Sequence, residues 1–206
     1  MAREVLLLAP DEARVVPWKN GRGVTHELAL WPPNANFERG EFDWRISKAV
    51  VESSGEFSVF PDHERILVVT AGGGLMLTHE DSERSVRVRP LDPYSFDGAW
   101  RTHAELARGS VSDFNVLTRR GVVRADVAAL QLGLRRARET LPAGHAFAHV
   151  LSGELVARVI GEEDPFELAA GDSLWLSELA AEEDVEFTGR SRDCTLLLTR
   201  LEIEPD

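Results

Sequence analysis

The chain of 206 residues is poor in cysteine, lysine and long apolar runs. Its one cysteine, Cys194, excludes an internal disulfide framework and fits a reducing compartment. Cys194 lies in an apolar, strand-like run, where it reads as a small buried hydrophobe rather than a nucleophile. The apolar stretch at residues 5–9 is shorter than a signal h-region, and no run reaches the ~18 residues of a spanning helix. A cytoplasmic protein without membrane contact is expected. Positive charge is scarce: the net charge is −12, and no basic run exceeds an arginine pair. That argues against nucleic acid and against an anionic membrane surface. Lys19 and Lys48 are the only lysines, and both fall in the N-terminal third.

Several chemical signatures are also missing. No His-x-His pair occurs. His145 and His149, the closest histidines, stand four apart in a strand-like context, too far for ordinary chelation, and no acidic partner follows at metal spacing. Neither a metal nor another cofactor is expected. There is no Gly-x-Ser-x-Gly elbow and no evident cysteine–histidine pair. Gly72-Gly73-Gly74 lacks the Gly-Lys-Ser/Thr of a phosphate loop and reads as a turn. Helix signals are few; residues 177–183 suit a short helix capped by Ser177.

What the chain does hold is β-pattern. Its 43% apolar and 28% charged content is that of a globular protein, of one large domain or two smaller ones. Short alternating segments, separated by Gly, Pro and Asn, recur along its length. They also repeat. Phe60-Pro61-Asp62-His63, an apolar strand and the glycine turn answer to Leu141-Pro142-Ala143-Gly144-His145, a second apolar strand and Gly153. Asp113-Phe114-Asn115-Val116-Leu117-Thr118-Arg119 answers to Asp193-Cys194-Thr195-Leu196-Leu197-Leu198-Thr199-Arg200. Pro61 precedes Asn115 by 54 residues, and Pro142 precedes Thr195 by 53. A near-constant separation of matching features points to an internal duplication. The expectation is an all-β chain of two antiparallel barrels or jelly rolls, the first over residues 1–120 and the second over residues 121–206. Their sheet edges make a homodimer compatible with the pattern.

The densest chemistry lies in Trp18-Lys19-Asn20-Gly21-Arg22-Gly23-Val24-Thr25-His26-Glu27. Asn-Gly signals a turn, and an alternating strand follows, with Thr25 and Glu27 on one face and His26, Leu28 and Leu30 on the other. The residues suit a polar loop delivering side chains to a site, and equally an ordinary hairpin with a tryptophan lid. In residues 42–51, Arg45, Ser47 and Ala49 share a face ill-suited to a dry core, so that face meets solvent or a polar cavity. Arg65 precedes an apolar strand, and Asp113, Asn115 and Arg119 share a face of another. Amide, hydroxyl and guanidinium groups together fit a small carboxylate-bearing ligand, since an Arg fork matches carboxylate oxygens. Trp18, Trp44, Phe57, Phe60 and Phe114 are available as walls. For Arg45, an ion pair with Glu27 or Asp113 that merely ties strands together is the alternative.

The motif from Trp18 to Glu27, with Trp44-Arg45-Ile46-Ser47, Ala49, Gly55, Phe57-Ser58, Phe60-Pro61, Arg65, Phe96, Gly98, Asp113-Phe114-Asn115 and Arg119-Arg120, resembles the HutD/Ves family. The resemblance runs in order through residues 14–120; beyond, Gly144-His145, Gly153 and Gly171-Asp172 look cupin-like. It implies a bicupin whose first barrel holds a polar pocket, and a part in histidine utilisation. By the family pattern the ligand-binding positions are Lys19, Asn20, Thr25, Glu27, Arg45, Ser47, Arg65, Asp113 and Asn115. The implied function is non-enzymatic: binding of a small acid, urocanate or formylglutamate, and moderation of the pathway. Two alternatives stay open: a metal-independent enzyme with Glu27 as base, and a protein-binding regulator. The chain departs from the family pattern at Arg22, Lys48 and Glu64, which leaves the choice of ligand open.

Overall fold

The computed structural model describes residues 3–18, 23–82 and 84–205. Among these, regular structure is all β, with three short 3-10 turns and no α-helix. The strands are β1 (Glu4–Leu8), β2 (Arg14–Pro17), β3 (Val24–Trp31), β4 (Trp44–Val51), β5 (Gly55–Glu56), β6 (His63–Ala71), β7 (Leu75–His79), β8 (Arg84–Val88), β9 (Tyr94–Asp97), β10 (Thr102–Leu106) and β11 (Val111–Arg119). They continue as β12 (Val123–Gln131), β13 (Arg136–Leu141), β14 (Gly144–Ser152), β15 (Glu154–Val159), β16 (Phe166–Ala169), β17 (Ser173–Leu179), β18 (Glu183–Gly189) and β19 (Thr195–Ile203). No helix of the described residues is long and apolar enough to cross a membrane.

The chain divides into two compact units. One, Ala13–Val123, has a six-stranded sheet in the order β2-β3-β4-β11-β6-β9 and a four-stranded sheet β5-β10-β7-β8. Its core lies between the sheets, with Leu67, Val69, Phe96 and Val111 from the first and Leu75, Leu77, Val88 and Ala104 from the second. The other unit has a sheet β1-β17-β14-β19-β12 and a sheet β13-β18-β15-β16. Ala148, Val150, Leu196 and Leu198 of the first meet Leu155, Ala157, Val185 and Phe187 of the second. The duplication is explicit in these orders. The run β4-β11-β6-β9 recurs as β12-β19-β14-β17, and β5-β10-β7-β8 as β13-β18-β15-β16.

Three expectations are corrected. The first strand, placed by the sequence pattern in the N-terminal unit, pairs antiparallel with β17, Glu4 opposite Ser177 and Leu8 opposite Ser173. Residues 177–183 form no helix. Ser177 and Leu179 end β17, which is hydrogen-bonded to β1 and β14, and pairing on both sides overrides a weak helix propensity. Leu30 shares a face with Arg45, because β3 carries a bulge between Glu27 and Ala29 that inverts its parity. The triple glycine is a turn: Gly72 and Gly74 take φ of +96° and +95°, and a Cβ on Gly72 would lie 2.5 Å from the Ser110 carbonyl oxygen.

Leu67 is fully buried between the sheets of the first unit. Leu67→Ala is expected to lower unfolding free energy by about 2–5 kcal/mol through lost burial and the cavity left behind. Chemical denaturation followed by circular dichroism checks this, with the native β spectrum retained.

Candidate functional site

The polar residues converge because four adjacent strands bring them into register on one face. Glu27 stands opposite Ser47, Ser47 opposite Asn115, and Asn115 opposite Leu67. One row along, Thr25, Ala49, Asp113 and Val69 are aligned. On the other side Arg45 faces Leu117, Leu117 faces Arg65, and Arg65 faces Phe96. Side chains alternate across a strand, so this face is continuous with the apolar core at Leu67, Val69 and Phe96. Solvent does not reach it freely: Glu27, Arg45, Ser47, Arg65, Asp113 and Asn115 are between 2% and 8% exposed.

Charges removed from water need partners, and two separate systems supply them. Arg45 Nε donates to Glu27 Oε2 at 2.7 Å, while the exposed Arg14 Nη1 lies 3.6 Å from Glu27 Oε1. Arg65 donates from Nε and Nη2 to Asn115 Oδ1 at 3.0 and 2.6 Å. Asn115 Nδ2 in turn donates to Asp113 Oδ1 at 2.9 Å. These partners fix the Asn115 amide, oxygen toward the guanidinium and nitrogen toward the carboxylate. Aromatic rings cover both guanidinium planes. Arg45 Cζ lies 3.9 Å from the centre of the Phe37 ring; Arg65 Cζ lies 4.4 Å from Phe57 and 5.6 Å from Phe96. Cation–π contact of this kind strengthens as water is withdrawn.

Burial sets the electrostatics. It lowers the Arg45 pKa against the opposing effect of the hydrogen bond that Arg45 donates to Glu27. It pushes Arg65 down to about 10 against the field of Asp113, with Arg45 adding to the depression, so Arg65 stays protonated at neutral pH. Burial pushes Asp113 up to about 6, opposed by Arg65, Asn115 and the Ala49 backbone N–H.

The opening loop reaches the same region. Trp18 N–H donates to the Gly23 carbonyl at 2.9 Å, closing the loop, and the Trp18 indole N–H donates to Thr25 Oγ1 at 2.9 Å. Lys19 and Asn20 lie outside the described residues.

Other candidates do not join. Arg119 turns to the Phe42 and Gly40 carbonyls. Lys48 pairs with His26 and Phe114, on the face opposite Arg45 and Ser47. By the same alternation Trp44 and Phe114 wall the other face, and Phe60 packs against Phe37 and Phe42. Phe37, Phe96 and Arg14 were missed. Phe96 belongs to the family motif, but its place beside Arg65, like that of Arg14 beside Glu27, is legible only through register. Phe37 sits in a 3-10 turn capped by Asn36 and closed by Gly40 at φ 69°, which no strand pattern reveals. Among the described residues, no group of three His, Cys, Asp or Glu side chains is placed to hold a metal ion.

The second unit shows the same positions filled otherwise. The register shifts of the two strand pairs align them: Leu196 faces Val150 as Asp113 faces Val69, and Leu198 faces Ala148 as Asn115 faces Leu67. Ala146 faces Leu176 as Arg65 faces Phe96. Ala146, Ala148, Val150, Leu196 and Leu198 all belong to one apolar core.

A duplicated antiparallel all-β architecture with a polar row buried in one half defines a cupin-like protein. The chain belongs to the HutD family, whose match spans residues 11–195. It superposes on a conserved protein of unknown function from Pseudomonas aeruginosa PAO1 with a TM-score of 0.86 and 27% identity, covering 97% of this chain and 99% of that one. HutD from Pseudomonas fluorescens SBW25, in a formate condition, gives a TM-score of 0.80 at 25% identity over 98% of this chain and 100% of its own. An oxalate decarboxylase–formate complex from Lactobacillus farciminis, at 9% identity and a TM-score of 0.65, covers 98% of this chain and 86% of that one, and shares the fold alone.

Two expected outcomes follow from the geometry. A Cβ on Gly23 would lie 3.1 Å from the Trp18 ring. Gly23→Ala should displace the indole and release its bond to Thr25, at a cost of about 1–3 kcal/mol; the indole N–H resonance reports it directly. For Asp113, a folded pKa near 6 against an ordinary 3.8 means that the folded state binds more protons than the unfolded one between pH 4 and 6. Stability therefore falls as pH rises through that window and levels off above it. Asp113→Asn removes this loss, so its stability advantage should grow to about 3 kcal/mol by pH 7 and vanish below pH 4, as read by denaturation across pH.

Proposed function

We propose that this chain binds a small carboxylate-bearing metabolite at the polar row of the first unit, and that its part in histidine utilisation is regulatory rather than catalytic. In this reading the architecture is a bicupin, one barrel keeping a site and the other filled with hydrocarbon. The observation that carries the proposal is the contrast between the two units. The second unit reproduces the strand order of the first with Leu196, Leu198 and Ala146 in a dry core, where the first has Asp113, Asn115 and Arg65. The fold therefore does not need Asp113, Asn115 and Arg65 at the matching places. Keeping them costs desolvation, which a packed apolar core avoids.

Donor capacity remains for a ligand. Among the described residues, Arg45 makes its side-chain hydrogen bond through Nε alone, and Arg65 leaves Nη1 without a partner. Arg45 and Arg65 hold the anion, Ser47 and Thr25 contact it from the sheet, and Asn115 keeps Arg65 in position. Lys19 and Asn20 act from the opening loop, as the family pattern suggests. Glu27, the candidate base, is engaged by Arg45 and Arg14, an arrangement that favours holding a guanidinium in place over proton abstraction. Urocanate and formylglutamate are the acids the family suggests.

The test is a thermal-shift screen against histidine, urocanate, formylglutamate, glutamate and divalent metals. An acid at a hundred times its dissociation constant should stabilise by about 2.7 kcal/mol. Arg45→Ala should abolish that shift, measured from the variant's own ligand-free melting point, since it also strands Glu27. No shift with any acid, or a shift unchanged in Arg45→Ala, would end the proposal; a shift with metal alone would redirect it to metal-dependent chemistry.

A further inference from the structure

The two carboxylates of the polar row are held differently. Glu27 is ion-paired to Arg45 and approached by Arg14. Asp113 makes no ion pair among the described residues; its Oδ1 accepts from Asn115, and the Ala49 backbone N–H adds a second bond. Asn115 stands between Asp113 and Arg65, taking both Nε and Nη2 of the guanidinium on its own oxygen. Asp113 therefore meets positive charge only at one remove.

Among the described residues, the groups on its face come from three neighbouring strands and the opposing sheet. Arg45 comes from β4, Arg65 from β6 and Glu27 from β3, with Thr25, Ser47, Leu67 and Val69 completing that face. The opposing sheet supplies Leu75, Leu77 and Ala104, with His79, bonded to Thr102 and to the Tyr94 hydroxyl, and the exposed Arg84 opposite it. Of the cations, it is Arg65 that holds Asp113 ionised.

We propose that binding of an organic anion at this row is coupled to uptake of one proton by Asp113. This rests on the reading of the row as an anion site. An anion drawn to Arg65 offsets the charge that keeps Asp113 ionised and adds a like charge beside it, and both effects favour the neutral acid. The neutral acid keeps its acceptor oxygen for Asn115, so the bonded chain from Arg65 survives the proton's arrival. Burial already holds Asp113 close to the point of protonation below neutral pH. The sign follows by linkage: the complex carries the extra proton, so affinity falls as pH rises, by up to tenfold per pH unit above the pKa of Asp113 in the free protein, until that of the complex is passed.

The experiment is isothermal titration of the full chain with formylglutamate, whose carboxylates stay ionised from pH 6.5 to 8.5, a range set about two units or more above ordinary carboxylate values. Titrations in buffers of different ionisation enthalpy count the protons exchanged. Up to one proton taken up per ligand is expected, with weaker binding at higher pH. Asp113→Asn, isosteric with the neutral acid, should bind about tenfold or more tightly at the upper end of the range, exchange no proton and show no pH dependence. Infrared difference spectra of the unmodified protein give a second readout: a protonated carboxylic C=O band should appear on ligand addition. Binding without proton uptake and without that band would overturn this inference and leave the site standing. No binding of formylglutamate or urocanate at any pH would overturn both.

Discussion

Two guanidinium groups held out of water are the constraint around which the first unit is arranged. A cation moved into a protein interior forfeits several kcal/mol of hydration unless partners restore it. Here Glu27 meets Arg45 head-on, Asn115 takes two donors of Arg65, and phenyl rings close over both planes. Every partner comes from a different strand or from a flanking loop. The row thus depends on the order β3-β4-β11-β6 and on a register that puts Glu27, Ser47 and Asn115 side by side. A slip of one residue in any of those strands would turn its contribution to the opposite face.

The internal duplication separates what the fold requires from what the site requires. Hydrophobic positions between the two sheets recur in both units, while the charged and amide positions occur in one. Ala146 and Leu198 stand where Arg65 and Asn115 stand. Packing alone is satisfied by the former pair, so the latter pair reflects a different demand. The HutD family match, residues 11–195, spans both units.

Much of this was legible in the linear pattern. Period-two alternation identified the strands, and the near-equal spacing from Pro61 to Asn115 and from Pro142 to Thr195 exposed the repeat. The shared face of Arg45 and Ser47 followed from parity, and the pairing of Arg45 with Glu27 was among the alternatives. What escaped depends on contacts between distant segments. A bulge at Leu28 reversed the face of Leu30, because bulges are set by pairing and leave little trace in hydrophobicity. Phe37 reached Arg45 from a loop without periodicity. Residues 177–183 carried helix-forming composition yet joined a sheet, since pairing partners decide such short segments. Arg119 lay on the right face of β11 but one step too far, where carbonyl oxygens of the Gly40–Phe42 loop claimed it.

The route of the first strand has a consequence for how the chain comes off the ribosome. Residues 13–123 form one unbroken stretch that holds its own core and the polar row, so this unit can be complete while the rest is still being made. The strand that precedes it finds its partner only in β17, some 170 residues later. Until then Leu6 and Leu7, partly exposed even in the finished fold, have no sheet to join. A strand made ahead of both cores is thus among the last to be secured, and closing that long loop belongs to the slow end of folding.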